Sequence, residues 1–260
     1  MTFLRPVAVV WLLLLLSPMW AQAGSQDDAA AGKKALQQGK YQQALGLFNK
    51  ALSSPDLEGT DRIAALNERG SVKTRLGDYK GAMADFDKSL TLDTNQPGVY
   101  QRRAVALAKI GRIKDALNDL NRAIQLKPQQ ASAYYSRGAL KANLRRYDEA
   151  IADFSKAIKL KPDLAQIYGA RGTLYLRQDK YSLAIADFNQ ALRLEPKNHL
   201  YYYSRGVALA FQNRLTEAMA DTEMALSLDP KNLNYRKAIK DITARMAEQE
   251  KRKGKASKRP

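Results

Sequence analysis

The sequence predicts an all-α fold: a solenoid of stacked helix–turn–helix repeats closed by one further helix. Three observations predict it. Between Ala131 and Leu164, small and apolar residues recur at helical spacing in two runs joined by a short polar turn. The same scheme returns through most of the chain with a period of about 34 residues, and a fixed period of this length is the mark of a helical repeat array. Pro128, Pro162, Pro196 and Pro230 then stop the second helix of four successive units, because proline lacks an N–H and disfavours helical geometry in the residue before it.

Residues 1–23 stand apart from this array. Arg5 precedes an apolar run from Val7 to Leu16, which Ser17 and Pro18 break, and Ala21-Gln22-Ala23 supplies small residues for a signal peptidase. The run falls short of the about 20 residues a spanning helix needs, so cleavage after Ala23 and export to the periplasm or the medium are expected. The short tripartite form is that of a bacterial signal, and no cysteine follows it to carry a lipid. The polar residues Gly24 to Ala29 are expected to fray.

The first repeat, residues 25–62, is atypical. Ala35, Tyr41, Ala44, Phe48 and Ala51 hold repeat positions, but Asp28 takes the place of the aromatic that opens later units. The step from Ala44 to Ala82 exceeds the period by four, so four extra residues are expected in a Ser53–Arg62 loop marked by Pro55, Gly59 and Asp61. Five regular repeats follow over 63–232. Tyr100, Tyr134, Tyr168 and Tyr202 lie one period apart, as do Gly138, Gly172 and Gly206. The small residues let two helix axes approach, and the aromatics fill the space beside them. From 233 to 249 a capping helix is expected, with Tyr235, Ile239, Ile242 and Met246 on one apolar stripe. The tail, 250–260, carries six positive charges after Glu250 and little apolar surface to bury, so it is expected to be disordered.

The period and its residue types resemble the tetratricopeptide repeat family over residues 25–232. Thr94, Ala104 and Thr222 depart from it, replacing the terminal proline, the glycine and the large apolar residue of the second helix. The resemblance implies a right-handed superhelix of about six repeats, whose first helices line a concave groove for a peptide or helix. Positions matching that lining are Asn67, Ser71, Gln101, Arg102, Tyr135, Ala139, Thr173, Leu176, Arg177, Tyr203 and Val207. The lining reads polar at its start and more apolar towards its end. The charged pattern with which some members clamp a chaperone's terminal carboxylate is absent.

Two charged positions keep the period strictly. Arg69, Arg103, Arg137, Arg171 and Arg205 each precede an aspartate at one constant separation: Asp85, Asp119, Asp153, Asp187 and Asp221. At ~100° per residue, each member lies about 60° to the same side of its helix's packing face. Arginine and aspartate of one repeat should therefore meet near the seam with the preceding repeat. The family usually holds an apolar residue where the arginine stands, and a half-buried guanidinium needs a carboxylate. A structural ladder is thus expected rather than an anion-binding stripe. In the first repeat Ala31 and Leu47 replace both members together.

Composition narrows the function. With no cysteine there is no disulfide, thiol nucleophile or cysteine-bound metal. His199, the only histidine, is read as a surface residue of an inter-repeat loop without a ligand partner. No catalytic residue, metal site or cofactor is expected. The formal net charge of +17 suggests polyanions, but export argues against nucleic acid. The expected function is a non-enzymatic scaffold or adaptor of the bacterial cell envelope with a protein or peptide partner. The alternative is a glycan- or lipid-associated envelope assembly factor, docked on anionic surfaces through its basic surface and tail.

Overall fold

The structure, a computed structural model, describes residues 19–256, with side chains from 24 to 252. Most of the expected signal segment and the last four residues of the expected tail lie outside the described residues. Among the described residues there are α-helices and no strands. They form two compact units that divide after Pro128. The first holds α1 (Met19–Gln37), α2 (Tyr41–Ser53), α3 (Gly59–Leu76), α4 (Tyr79–Leu92), α5 (Pro97–Lys109) and α6 (Ile113–Leu126). The second holds α7 (Ala131–Asn143), α8 (Tyr147–Leu160), α9 (Ala165–Arg177), α10 (Tyr181–Leu194), α11 (His199–Phe211), α12 (Leu215–Leu228) and α13 (Leu233–Ala256).

Within each unit a helix packs on its chain neighbours, and first helices of successive repeats also touch. Thus α1 meets α3 and α3 meets α5, and α7 meets α9 and α9 meets α11. Each unit is a stretch of all-α solenoid. The turn inside each repeat depends on one left-handed residue at a constant register. Gly39, Gly77 and Gly111 have φ of 72°, 85° and 80°, and Arg145, Asp179 and Asn213 have 60°, 57° and 63°. The next N–H then returns to the helix just left: Asp78 N to Lys73 O and Arg146 N to Lys141 O, both 2.9 Å.

Close approach explains the glycines of the first helices. A Cβ on Gly70 would stand 2.6 Å from Phe86 Cε1, and one on Gly138 2.8 Å from Phe154 Cε1. Where Ala104 takes this register, the aromatic opposite is replaced by Leu120, and both are buried. The departure is a matched pair: the smaller side chain leaves room for the methyl. Thr222 is buried too and donates its hydroxyl to Ala218 O at 2.7 Å. Where Thr94 replaces the terminal proline, the Gln96 amide ties the helix end instead, donating to Asp93 O at 2.7 Å and Ser89 O at 3.1 Å.

Four expectations are corrected. The four extra residues do not lengthen a loop, because α3 starts at Gly59 and gains a turn at its N-terminus. The short link before it is pinned by buried Leu57, and Arg62 Nη1 donates to Leu57 O at 3.1 Å. Gly24 to Ala29 do not fray: α1 is already helical, Ser25 is buried, and Gln26 Nε2 donates to Asp61 Oδ2 of α3 at 2.8 Å. The capping helix does not end at residue 249 but runs to Ala256. Lysine, arginine and alanine are good helix formers, and Arg252 bonds Glu248 one turn back at 2.5 Å. His199 is no loop residue, since it opens α11.

Candidate functional site

The repeating arginines and aspartates come together in every repeat from the second to the sixth. Arg103 Nε and Nη2 donate to Asp119 Oδ2 and Oδ1 at 2.7 and 2.6 Å. Arg69 holds Asp85 in the same two-pronged way at 2.9 and 2.6 Å, and Arg137 holds Asp153 at 3.0 and 2.6 Å. Arg171 holds Asp187 at 2.8 Å through both nitrogens, and Arg205 holds Asp221 at 2.7 Å through both. All five aspartates are buried. The third nitrogen reaches back one repeat: Arg69 to Asn49 at 3.0 Å, Arg103 to Asp87 at 2.6 Å, Arg171 to Ser155 at 2.8 Å and Arg205 to Asn189 at 2.6 Å.

Each of these guanidinium groups closes its own helix pair, and these four also staple that pair to the repeat before. The paired aspartate, with its hydrogen bonds, holds Arg103, Arg171 and Arg205 more firmly protonated than a free arginine, against the opposing pull of burial. Arg103, Arg137 and Arg205 also lie over the rings of Tyr100, Tyr134 and Tyr202, 5.5 to 5.7 Å from the centroids. Those rings are occupied from within the fold, and Tyr168 is buried. A guanidinium spent in this way on its own fold is not a ligand site.

The residues matched to a groove lining separate into three groups. Asn67 is buried, with Nδ2 donating to Gln96 Oε1 at 2.8 Å, and Ser71 gives its hydroxyl to Asn67 O at 2.8 Å. Arg102 is exposed, 3.4 Å from Glu68. Gln101 and Val207 are half-buried and lie outside the cleft described below. In the second group, Tyr203 packs on the capping helix, its ring centroid 4.7 Å from that of Tyr235. Tyr235 is buried, and its hydroxyl lies 2.7 Å from His199 Nδ1, with Asp229 4.0 Å from the same nitrogen. The single histidine thus has a partner on another helix, far along the chain. Burial and the nearby Asp229 raise the Tyr235 hydroxyl above its usual pKa. Leu176 packs beside Tyr175 on the core formed by Ala184, Phe188 and Leu209.

The third group lines an open cleft of about 410 Å³ in the second unit, between α7, the turn into α8, and α9. Tyr135, Ala139, Thr173 and Arg177 line it, joined by Asn143, Arg145, Tyr147 and Phe154, which the repeat pattern did not mark as lining. Its floor is the ring of Phe154, 5.7 Å from that of Tyr135. Thr173 spends its hydroxyl on Gly169 O at 2.8 Å. The signal that could have found Arg145 is its place at the left-handed turn position, where earlier repeats carry glycine. Among the described residues no group of three His, Cys, Asp or Glu is placed to hold a metal ion. No described helix is long and apolar enough to cross a membrane.

Family models described as tetratricopeptide repeat match residues 29–97, 170–232 and 131–164, and one described as TPR repeat matches 106–144. No curated protein matches significantly. Among solved structures, PilF of Pseudomonas aeruginosa is similar with a TM-score of 0.71 and 18% identity, over 83% of this chain and 97% of that one. A tetratricopeptide repeat protein from Parabacteroides merdae has a TM-score of 0.68 and 21% identity, over 88% of this chain and 89% of its own. YrrB, a TPR protein described as having an unusual peptide-binding site, has a TM-score of 0.61 and 17% identity, over 74% of this chain and 97% of its own. At these identities the likeness is one of fold.

Proposed function

Because this chain belongs to the tetratricopeptide repeat family, a fold that serves in protein–protein interaction, we propose that it is a non-enzymatic adaptor of the bacterial cell envelope. It holds a peptide or helix of a partner protein against the first helices of its repeats. The observation that carries this reading is how the polar groups divide. The ladder arginines are spent inside the fold, whereas the cleft between α7 and α9 gathers aromatic and polar side chains that solvent reaches. Such a cleft offers a partner apolar contact at Ala139, Ala142 and the Tyr135 ring, which lie above buried Phe154, and hydrogen bonds at its rim. The envelope address rests on the N-terminal pattern: Arg5, the apolar run Val7 to Leu16 and Ala21-Gln22-Ala23.

Two experiments test it. Trp11 and Trp20 are the only tryptophans, so exported and cleaved protein should contain none. An intact mass that retains residues 1–23 would remove the export reading. Site-specific crosslinking from Tyr135 or Arg177 in the native envelope should trap a protein partner in a complex that resists high salt.

The basic C-terminus favours a second reading, in which the chain docks on anionic envelope surfaces. Lys251 and Arg252 are exposed on the last turns of α13. After cleavage the chain carries 42 basic and 26 acidic residues, and removing residues 251–260 lowers a charge of +16 to +10. Attraction through these charges is screened over roughly 8 Å at physiological salt. Truncation at Glu250 should therefore weaken sedimentation with anionic material while sparing a salt-resistant protein partner. A partner lost on truncation but kept by Tyr135→Ser would favour the surface-docking reading over the adaptor.

A further inference from the structure

We propose that the cleft between α7 and α9 is selective for an acidic side chain, held within an extended segment of the partner. This inference rests on the peptide-binding reading and specifies its ligand.

The argument comes from comparing equivalent positions. Tyr41, Tyr79, Tyr147 and Tyr181 each open a second helix at the same register, and around Tyr79 the two positions at issue hold Gly77 and Lys109. In the first unit Arg75 lies over the Tyr41 ring, 5.9 Å from its centroid. One repeat beyond Tyr147, in the second unit, Phe211 stacks on Tyr181 at 5.0 Å with the rings 2° from parallel. The Tyr181 hydroxyl also donates to Asp179 Oδ1 at 2.7 Å. The rings of Tyr41 and Tyr181 are covered by the fold itself.

Tyr147 alone of the four has an arginine at both positions. Its counterpart of Phe211 is Arg177, and its counterpart of Asp179 is Arg145, so a ring and a carboxylate are both replaced by guanidinium groups. Both arginines are exposed and line the cleft, and neither guanidinium has a hydrogen bond or ion pair among the described residues. The neighbouring Arg146, by contrast, is paired with Glu149. The hydroxyls of Tyr135 and Tyr147 and the Asn143 amide complete the rim, likewise without a hydrogen-bond partner among the described residues. No acidic residue lines the cleft.

The rim is therefore rich in donors and in positive charge, and the floor is apolar. A glutamate fits both features. Its carboxylate matches the planar fork of a guanidinium, and its methylenes pack on Ala139 and the Tyr135 ring. The Asn143 amide can both donate and accept, which suits the backbone of a chain passing the cleft. A lone phosphate would satisfy the rim but leave Ala139 and Ala142 in contact with water.

The test uses the full chain on an array of short peptides with a central Glu, Gln or Lys and randomised flanks. Binding should favour Glu over Gln about tenfold, as expected for a charge-assisted hydrogen bond. That preference should vanish in Arg145→Gln/Arg177→Gln, whose circular dichroism should match the parent because both side chains are exposed and unpaired. Peptide binding with no preference for Glu, or a preference that survives the double substitution, overturns this inference and leaves the scaffold reading intact. No binding to any peptide overturns both. Phosphatidylglycerol vesicles form a second arm: binding that depends on the same two arginines, in place of the peptides, would overturn the inference by assigning the cleft to a lipid surface.

Discussion

Removing one rung of the arginine–aspartate ladder should have a cost that depends on which rung is removed. Arg171→Ala deletes two 2.8 Å bonds to Asp187 and one 2.8 Å bond to Ser155. Asp187 is 5% exposed and has no other cation among the described residues. Stripping the partner from a buried ion pair costs about 3–5 kcal/mol, because the remaining charge stays desolvated. The Arg171 side chain is 19% exposed, so some water follows the deletion, and the lower end, about 3 kcal/mol, is expected. Arg137→Ala is the contrast. Asp153 keeps Lys141 Nζ at 2.8 Å, so its charge remains paired and the cost falls to about 1–2 kcal/mol. Urea unfolding followed by far-ultraviolet circular dichroism measures both, and both rungs lie in the same unit. Replacing the pair together, as Arg171→Met with Asp187→Leu, should return stability to within about 1 kcal/mol of the parent. The first repeat already does this, with an exposed Ala31 in place of the arginine and, in place of the aspartate, a part-buried Leu47 packed on the core. Equal losses for Arg171→Ala and Arg137→Ala, or a double substitution that merely sums its singles, would refute the reasoning.

Three further outcomes are expected. Gly138→Ala should cost about 1–3 kcal/mol, since its methyl would stand 2.8 Å from Phe154 Cε1. Adding Phe154→Leu should recover part of that loss in the same unfolding experiment, as the Ala104 and Leu120 pair implies. Arg145→Gly should raise stability by about 0.5–1 kcal/mol by relieving a left-handed residue at φ 60°, while lowering affinity for acidic peptides; an unchanged or lower midpoint would contradict the turn assignment. The Tyr201 hydroxyl is pushed up to about 12 by burial first and by the nearby Glu195 charge. Its folded pKa thus lies above the unfolded value near 10, so its contribution is complete below about pH 10 and is lost as pH rises towards 12. Spectrophotometric titration should show a late-ionising tyrosine that disappears in Tyr201→Phe.

Much of the fold could be read from the sequence because helical periodicity is local and the chain states it repeatedly. Gly138 with Phe154, the stop at Pro162, and the stripe of Tyr235, Ile239, Ile242 and Met246 all follow from spacing along one or two helices. The pairing of Arg171 with Asp187 was legible for the same reason: two helix faces, joined by a short turn, can meet in only one register. The candidate site was less legible. Tyr135 and Arg177 could be assigned to a lining by position, but whether a lining residue is open or covered depends on what other elements bring to it. Tyr203 is covered by Tyr235 from the capping helix, and Asn67 spends its amide on Gln96. Tyr147 and Tyr181 share one register, yet one lines the cleft beside two arginines and the other is stacked on Phe211. The sequence determines the repeat, since each unit's backbone geometry needs only its own residues. Only the tertiary structure decides which donors are left over, because a hydrogen bond or ring contact between helices depends on both partners and on the distance that packing sets between them.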